Sequence, residues 1–196
     1  MTKAERTRQF IIETTAPIFN KKGYEGTAIS DITTATGLTK GSIYGNFRDK
    51  EELAAAAFEY NHQIIRKEIV NRSLGLKDPV EQLLVYVHFY SEVFDKVYVS
   101  GGCPLLNTAV DTDDSNPELF GKVRKAMRDW HEHVRSVVAY GIRKELFTAE
   151  TDPSVFADQF VSLIEGGMLL SKTFQNKKHL QSNLDLIRKM IREITV

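Results

Sequence analysis

The residues with chemistry to offer lie close together near the N-terminus. Thr39, Lys40, Gly41, Ser42, Tyr44 and Asn46 fall within one short stretch, interleaved by the apolar Ile43 and Phe47 at a spacing of four. On a helix that spacing turns Ile43 and Phe47 inward and the polar set outward. Short hydrogen-bonding side chains with one cation suit a helix lying in the major groove of DNA, where base edges present donors and acceptors. A bulky apolar face would be useless there. Gly41 costs about 1 kcal/mol relative to alanine in a helix interior, less near an end. Close approach of the backbone to DNA would offset that cost.

The elements that must position these residues are also legible. Thr27 can cap a short helix whose inward face is Ile29, Ile32 and Ala35. Gly37 makes the turn, Leu38 plugs the gap, and Thr39 caps the second helix. Two short helices joined by a few residues around glycine form a helix-turn-helix. Ahead of them, Phe10, Ile11, Thr14, Ile18 and Phe19 recur at helical spacings until Lys22-Gly23 stops the run. Pro17 inside this run predicts a kink and not a break, because it removes one hydrogen bond to Glu13.

Helical periodicity continues to the C-terminus. A long helix from about Lys50 carries Leu53, Ala57, Tyr60, Ile64, Ile65 and Ile69. Asp78-Pro79, Asn116-Pro117 and Asp152-Pro153 repeat one helix-start signature, a capping side chain followed by proline at the first helical position. The helix after Asp78-Pro79 has the stripe Leu83, Leu84, Val87, Phe94 and Val97. Cys103-Pro104 opens a short helix, after which Val110 to Asn116 reads as an acidic, solvated loop. No alternating run reads as a strand pair. The expectation is an all-α protein of about nine helices.

Composition agrees with a globular domain. Of 196 residues, 42% are apolar and 27% charged, unlike a disordered chain. The single cysteine, Cys103, excludes an internal disulfide framework and a multi-Cys zinc site. No segment has the run of about 18 uncharged apolar residues that a membrane span needs. The charged start, Met1-Thr-Lys-Ala-Glu-Arg, is unlike a targeting peptide. A cytoplasmic location without a membrane partner is expected. The net charge is zero, yet residues 1–50 carry eight basic and five acidic side chains, a slight bias toward a polyanion partner at that end.

Other constellations are weaker. His131 and His133, two apart on a helix, point to different faces and cannot chelate together, and His62, His88 and His179 are isolated. Asp111, Asp113 and Asp114 begin like a calcium loop, but Asn116 and Lys122 stand where glycine and glutamate are required. Gly37-x-x-x-Gly41-Ser42 lacks the Gly-Lys-Ser/Thr ending of a phosphate loop. No nucleophile–base or acid–base spacing marks a catalytic site, and no cofactor or metal is implied. Phe89, Tyr90, Phe94, Tyr98, Phe120, Trp130 and Phe160 are core residues or the lining of a ligand cavity. Gly166-Gly167, in the middle of a helix, costs about 2 kcal/mol of propensity, which close approach of a neighbouring helix would offset.

The stretch Thr-Gly-Leu-Thr-Lys-Gly-Ser-Ile-Tyr-Gly-Asn-Phe (residues 36–47) followed by Arg-Asp-Lys-Glu-Glu-Leu53 resembles the helix-turn-helix signature of the TetR family of transcriptional regulators almost position for position. Ile18-Phe19, Gly23-Tyr24 and Thr27 fit the preceding helix and turn, so the likeness covers about residues 7–53. Pro17 departs from the usual residues there. The resemblance implies a homodimeric repressor, with a DNA-binding head at 1–50 and a helical ligand-binding and dimerisation domain at 51–196. It implies release from a palindromic DNA operator by a small-molecule inducer. By matching position, Thr27 and Lys50 would bind phosphates at helix N-termini. Lys40, Gly41 and Ser42 would approach bases, Tyr44 a phosphate or a thymine methyl, and Asn46 a phosphate, with Thr39 also on the DNA-binding face. Phe89, Tyr90, Phe94, Tyr98, Cys103, Met127, Trp130 and Phe160 are candidates for inducer contact, and Gly166 and Gly167 for the dimer interface. Cys103, at a helix start similar to that of electrophile-sensing relatives, is also read as a buried small hydrophobe. The alternatives are a helical small-molecule-binding protein or enzyme with no DNA role, and a structural interaction protein.

Overall fold

The computed structural model describes residues 1–94 and 100–196. Tyr98 and Val97, expected at a ligand contact and in an apolar stripe, lie outside the described residues. Among the described residues nine helices occur, in the order α1 (Lys3–Lys22), α2 (Ile29–Thr36), α3 (Lys40–Tyr44), α4 (Lys50–Ser73), α5 (Pro79–Val99), α6 (Pro104–Thr112), α7 (Pro117–Arg143), α8 (Pro153–Thr173) and α9 (Lys178–Ile194). Among the described residues the one β-bridge joins Phe147 to Thr195. The all-α expectation holds. No helix among the described residues is long and apolar enough to cross a membrane.

Helix starts follow the sequence signals. Thr2 and Glu5 close a reciprocal capping box at α1. Each Asx-Pro start behaves as expected. Asp78 accepts from the Val80 N–H at 2.8 Å, Asn116 from Leu119 at 3.0 Å, and Asp152 from Ser154 at 2.8 Å. Gly23, at φ +77°, ends α1. Pro17 lies exposed within α1, which continues past it.

Three local readings are corrected. The cap of α2 is Ala28, whose N–H donates to Asp31 Oδ2 at 3.0 Å. Thr27 is fully buried and donates its hydroxyl to the Gly23 carbonyl at 2.6 Å. The inward face of α2 is therefore Ile32 and Thr36, with Ala35 exposed. In α1, Phe10 is exposed while Ile11, Thr15, Ala16 and Phe19 are buried, a face rotated from the expected one. Lastly, the acidic loop starts later than expected, because α6 runs through Thr112. Asp111 is consequently helical, and its carboxylate accepts the Tyr24 N–H.

The chain forms two compact units, residues 1–66 with 100–125, and residues 67–99 with 126–196. In the first, α6 is tied to the end of α1 by amides. Asn20 Nδ2 donates to the carbonyls of Ser100 at 2.7 Å and Gly102 at 3.0 Å, and Asn107 Nδ2 donates to Asn20 Oδ1 at 3.1 Å and Gly101 O at 2.8 Å. Gly101 is at φ +106°, and a Cβ there would lie 3.0 Å from the Asn20 carbonyl, so only glycine fits.

In the second unit α8 packs on α9 over Phe160, Ile164, Leu184 and Ile187, all inaccessible to solvent. Asn183 donates to the Leu163 carbonyl, and Ser171 accepts from the Leu180 N–H, both at 2.8 Å. Gly167 belongs to this contact. A Cβ there would stand 3.0 Å from both Cα and Cδ1 of Leu180, so its absence of side chain is explained inside one chain. At Gly166 a Cβ would meet nothing within 4 Å. Accordingly, Gly167→Ala should destabilise the protein by about 1–3 kcal/mol in urea unfolding. Gly166→Ala should be neutral or stabilise by up to about 1 kcal/mol. Equal effects of the two would contradict this packing.

Candidate nucleic-acid interface

α3 spans five residues, too few to persist alone in water. Its stability comes from below. Ile43 and Phe47 are 1% and 2% exposed, the inward pair expected from their spacing. Thr39 caps the helix, accepting from the Ser42 N–H at 3.1 Å. Arg8 of α1 then clamps the far end. Its guanidinium lies 4.0 Å from the centroid of the Phe47 ring, Nη1 donates to the Asn46 carbonyl, and Nη2 donates to Glu52 Oε1 at 2.7 Å. The other oxygen of Glu52 accepts the Arg48 N–H at 2.8 Å, and Asp49 Oδ1 accepts the Glu52 N–H at 2.8 Å to start α4. The Arg48 N–H, then the Arg8 guanidinium, hold Glu52 below the usual carboxylate range, and Arg48 does the same for Asp49. Both are ionised at neutral pH.

On the outer side, Thr39, Lys40, Gly41 and Tyr44 are exposed and Ser42 and Asn46 half-buried. The Lys40 ammonium lies 5.8 Å from the centroid of the Tyr44 ring, which places both on one face. Asn46 Nδ2 donates to the Ser42 carbonyl at 2.9 Å, leaving its side-chain oxygen for the exterior. Gly41 is the informative residue. A Cβ there would touch only Thr39 Oγ1 at 3.9 Å, and its φ is outside the left-handed region. Neither packing nor backbone conformation requires glycine there.

The two expected phosphate ligands at helix N-termini fare differently. The Thr27 hydroxyl is buried and bonded to the Gly23 carbonyl, and Ala28 and Ser30 occupy the exposed start of α2. Lys50 does begin α4, but its ammonium donates to the carbonyls of Tyr24 at 2.8 Å and Thr27 at 3.2 Å and lies 4.2 Å from the centroid of the Tyr24 ring. One ammonium proton is left over for an outside acceptor. Burial, then the nearby Glu51 carboxylate, pushes the Tyr24 phenol up to about 12, so it stays neutral and donates to Glu51 at 3.3 Å.

Among the expected ligand contacts, Phe89, Tyr90, Phe94, Trp130 and Phe160 are buried in the second unit, and Met127 is half-buried there. Trp130 stacks near Tyr90, with ring centroids 6.1 Å apart, and Phe89 meets Tyr90 edge-on at 5.1 Å. Cys103 is buried in the first unit. Sequence reasoning missed Tyr86, which stacks on Trp130 at 5.9 Å and meets Phe160 edge-on at 5.7 Å. Its spacing of four from Tyr90 was the available signal. It also missed Arg8, whose partners are 38 and 44 residues away and leave no local pattern. No group of three or more metal-ligating side chains occurs among the described residues.

Residues 11–57 match the family model described as "Bacterial regulatory proteins, tetR family", and residues 79–187 match "Tetracyclin repressor-like, C-terminal domain". A TetR-family transcriptional regulator from Cytophaga hutchinsonii superimposes with a TM-score of 0.93 at 38% identity, covering 100% of this chain and 98% of that one. The HTH-type transcriptional regulator YxaF of Bacillus subtilis is 28% identical over 98% of this chain and 99% of its own length. The HTH-type transcriptional repressor DhaR of a Mycobacterium species is 24% identical over 92% of this chain and 89% of its own length. These are regulators and not enzymes, which sets aside the enzyme alternative. With a helix-turn-helix at its head and both family regions along its length, the chain belongs to the TetR family of DNA-binding transcriptional regulators.

Proposed function

We propose that this regulator is a homodimeric repressor whose head, residues 1–50, reads a palindromic operator and whose body, residues 51–196, dimerises and binds a small-molecule inducer that releases the DNA. It acts in the cytoplasm. The observation that carries the DNA-binding face is Gly41, a helical glycine with open space around it. Lys40, Gly41 and Ser42, with Thr39 at the helix start, approach base edges. Tyr44, Asn46 and the spare proton of Lys50 hold phosphates. The start of α2 adds its exposed backbone dipole. Similarity to DhaR, itself a repressor, supports the sign of regulation.

Dimerisation is supported by the outer face of α8. Val155, Gly166, Leu169 and Leu170 share that face by helical spacing. The three apolar side chains are exposed, as are Phe174 at the end of α8 and Leu186 on α9. A second copy covering this surface would hold two heads at half-sites about 34–36 Å apart, or at a multiple of that spacing. Buried apolar aromatics in the second unit support inducer binding there.

Two experiments test this reading, beginning with selection of bound DNA from a random pool to give the operator. Gly41→Ala should then raise helix stability by up to about 1 kcal/mol in unfolding while lowering operator affinity by about tenfold or more. Opposite signs are the signature of a backbone approaching DNA; unchanged affinity would sink the assignment. In the same assay Tyr44→Ala should weaken all sequences alike, and Lys40→Ala should also relax one or two base pairs, worth about 1–3 kcal/mol each. For assembly, Gly166→Leu should give helical monomers by light scattering, and a normal dimer would remove the α8 face from the interface.

A further inference from the structure

The second unit holds a hydrogen-bond donor that the fold does not use. Trp130 is 8% exposed, and its indole Nε1 is buried with no hydrogen-bond partner among the described residues. Buried indole N–H groups normally find an acceptor, because an unmade bond forfeits the hydration given up on folding. The neighbouring rings do not serve as that acceptor. Tyr86 and Tyr90 lie at 16° and 24° to the indole plane, and an indole N–H points within its own plane, so it runs past their faces and not into them. Phe160 and Phe89 add edge contacts to the same two tyrosines and bring no acceptor atom.

The charge of the surroundings narrows what fits. Among the described residues no lysine or arginine is buried, and the one buried charged side chain is the carboxylate Glu165. His133, whose ring centroid lies 6.1 Å from that of Tyr86, is held below its ordinary range by burial, so it brings no cation at neutral pH. The nearby Arg72 guanidinium, 5.6 Å from the centroid of the Phe89 ring, is already paired with Glu68 and Glu92, so an anionic ligand would be stripped of water with no spare counter-charge to receive it. A neutral acceptor loses far less.

We infer that the inducer is a neutral, planar aromatic compound that joins the Tyr86–Trp130–Tyr90 stack and presents an in-plane acceptor, such as a carbonyl oxygen, to the Trp130 N–H. The stacking faces supply affinity for any flat ring. The single N–H supplies discrimination, since a ring without an acceptor leaves the donor unpaired. This inference rests on the reading of residues 51–196 as the inducer-binding part.

Trp130 is the only tryptophan in the chain, so the full-length protein labelled with nitrogen-15 shows one indole N–H resonance. Acetophenone and ethylbenzene are the probes, matched in ring and chain and differing in the carbonyl. Acetophenone should bind about tenfold more tightly, as one hydrogen bond to an otherwise unpaired donor predicts, and should move the indole proton downfield. Trp130→Phe, checked for folding by circular dichroism, should abolish the preference. Equal binding, an indole resonance that ignores acetophenone, or binding of neither probe would each overturn the inference. The wild-type comparison stands even if the variant fails to fold. No DNA enters the assay, so a failure here is separable from failure of the operator experiments.

Discussion

A recognition helix of five residues depends on something outside itself. Forming one turn fixes several residues for a single hydrogen bond, so α3 has no stability of its own to spend on holding a shape. Burial of Ile43 and Phe47 provides it, and Arg8 converts that burial into a fixed orientation. A guanidinium over the Phe47 ring, bonded to the Asn46 carbonyl and to Glu52, joins α1, the end of α3 and the start of α4 at one point. Arginine suits the position because its planar fork stacks and donates in two directions at once, which lysine cannot do. The pair with Glu52 is partly exposed, so its Coulombic worth is small. Its value is geometric. Everything proposed for the outer face, from Lys40 to Asn46, assumes that this inner face does not slide.

The same economy appears at the other end of α1. Asn20 and Asn107 bond each other and the carbonyls around Gly101 and Gly102, while Asp111 takes the Tyr24 N–H. These bonds satisfy backbone groups at the ends of α1 and α6 that no helix ladder reaches. They also register α6 against the turn that launches α2. Lys50 completes the arrangement by donating to the carbonyls of Tyr24 and Thr27, so the start of α4 and the turn before α2 share one ammonium. Substitution of Lys50 therefore loosens this turn as well as removing the proposed phosphate contact, which is why the cleaner probes of DNA binding are Gly41, Lys40 and Tyr44.

What was legible in the sequence was the part governed by local rules. Asx-Pro starts, the Lys22-Gly23 stop and the inward pair Ile43 and Phe47 each depend on residues within one or two turns, and each was placed correctly. The errors occurred where a local rule had two solutions. Thr27 has the side chain of a cap, but the chain turns it inward onto Gly23 and gives the cap to Ala28, with Asp31 reaching back. Asp111 has the composition of a solvated loop, but its partner is a backbone N–H 87 residues away. Arg8 was not singled out, because its importance lies in long-range contacts that no spacing encodes, and Tyr86 was passed over although its spacing of four from Tyr90 was available.

Glycines carry the remaining argument, by subtraction. Gly23 and Gly37 end helices in conformations that disfavour a side chain, and Gly167 makes room for Leu180. Within α3 and α8, Gly41 and Gly166 satisfy neither condition, each facing open space. Gly121 is equally open, and nothing in the structure explains it. The other two matter more: Gly41 lies in a helix too short to waste propensity, and Gly166 in the middle of a 21-residue helix. A cost borne inside one chain with no return inside that chain points to a surface that something else approaches. The two glycines mark two such surfaces. Gly41 sits among polar side chains and Gly166 among Leu169, Leu170 and Val155, so the same subtraction supports the proposal of a polyanion at the first and an apolar partner helix at the second.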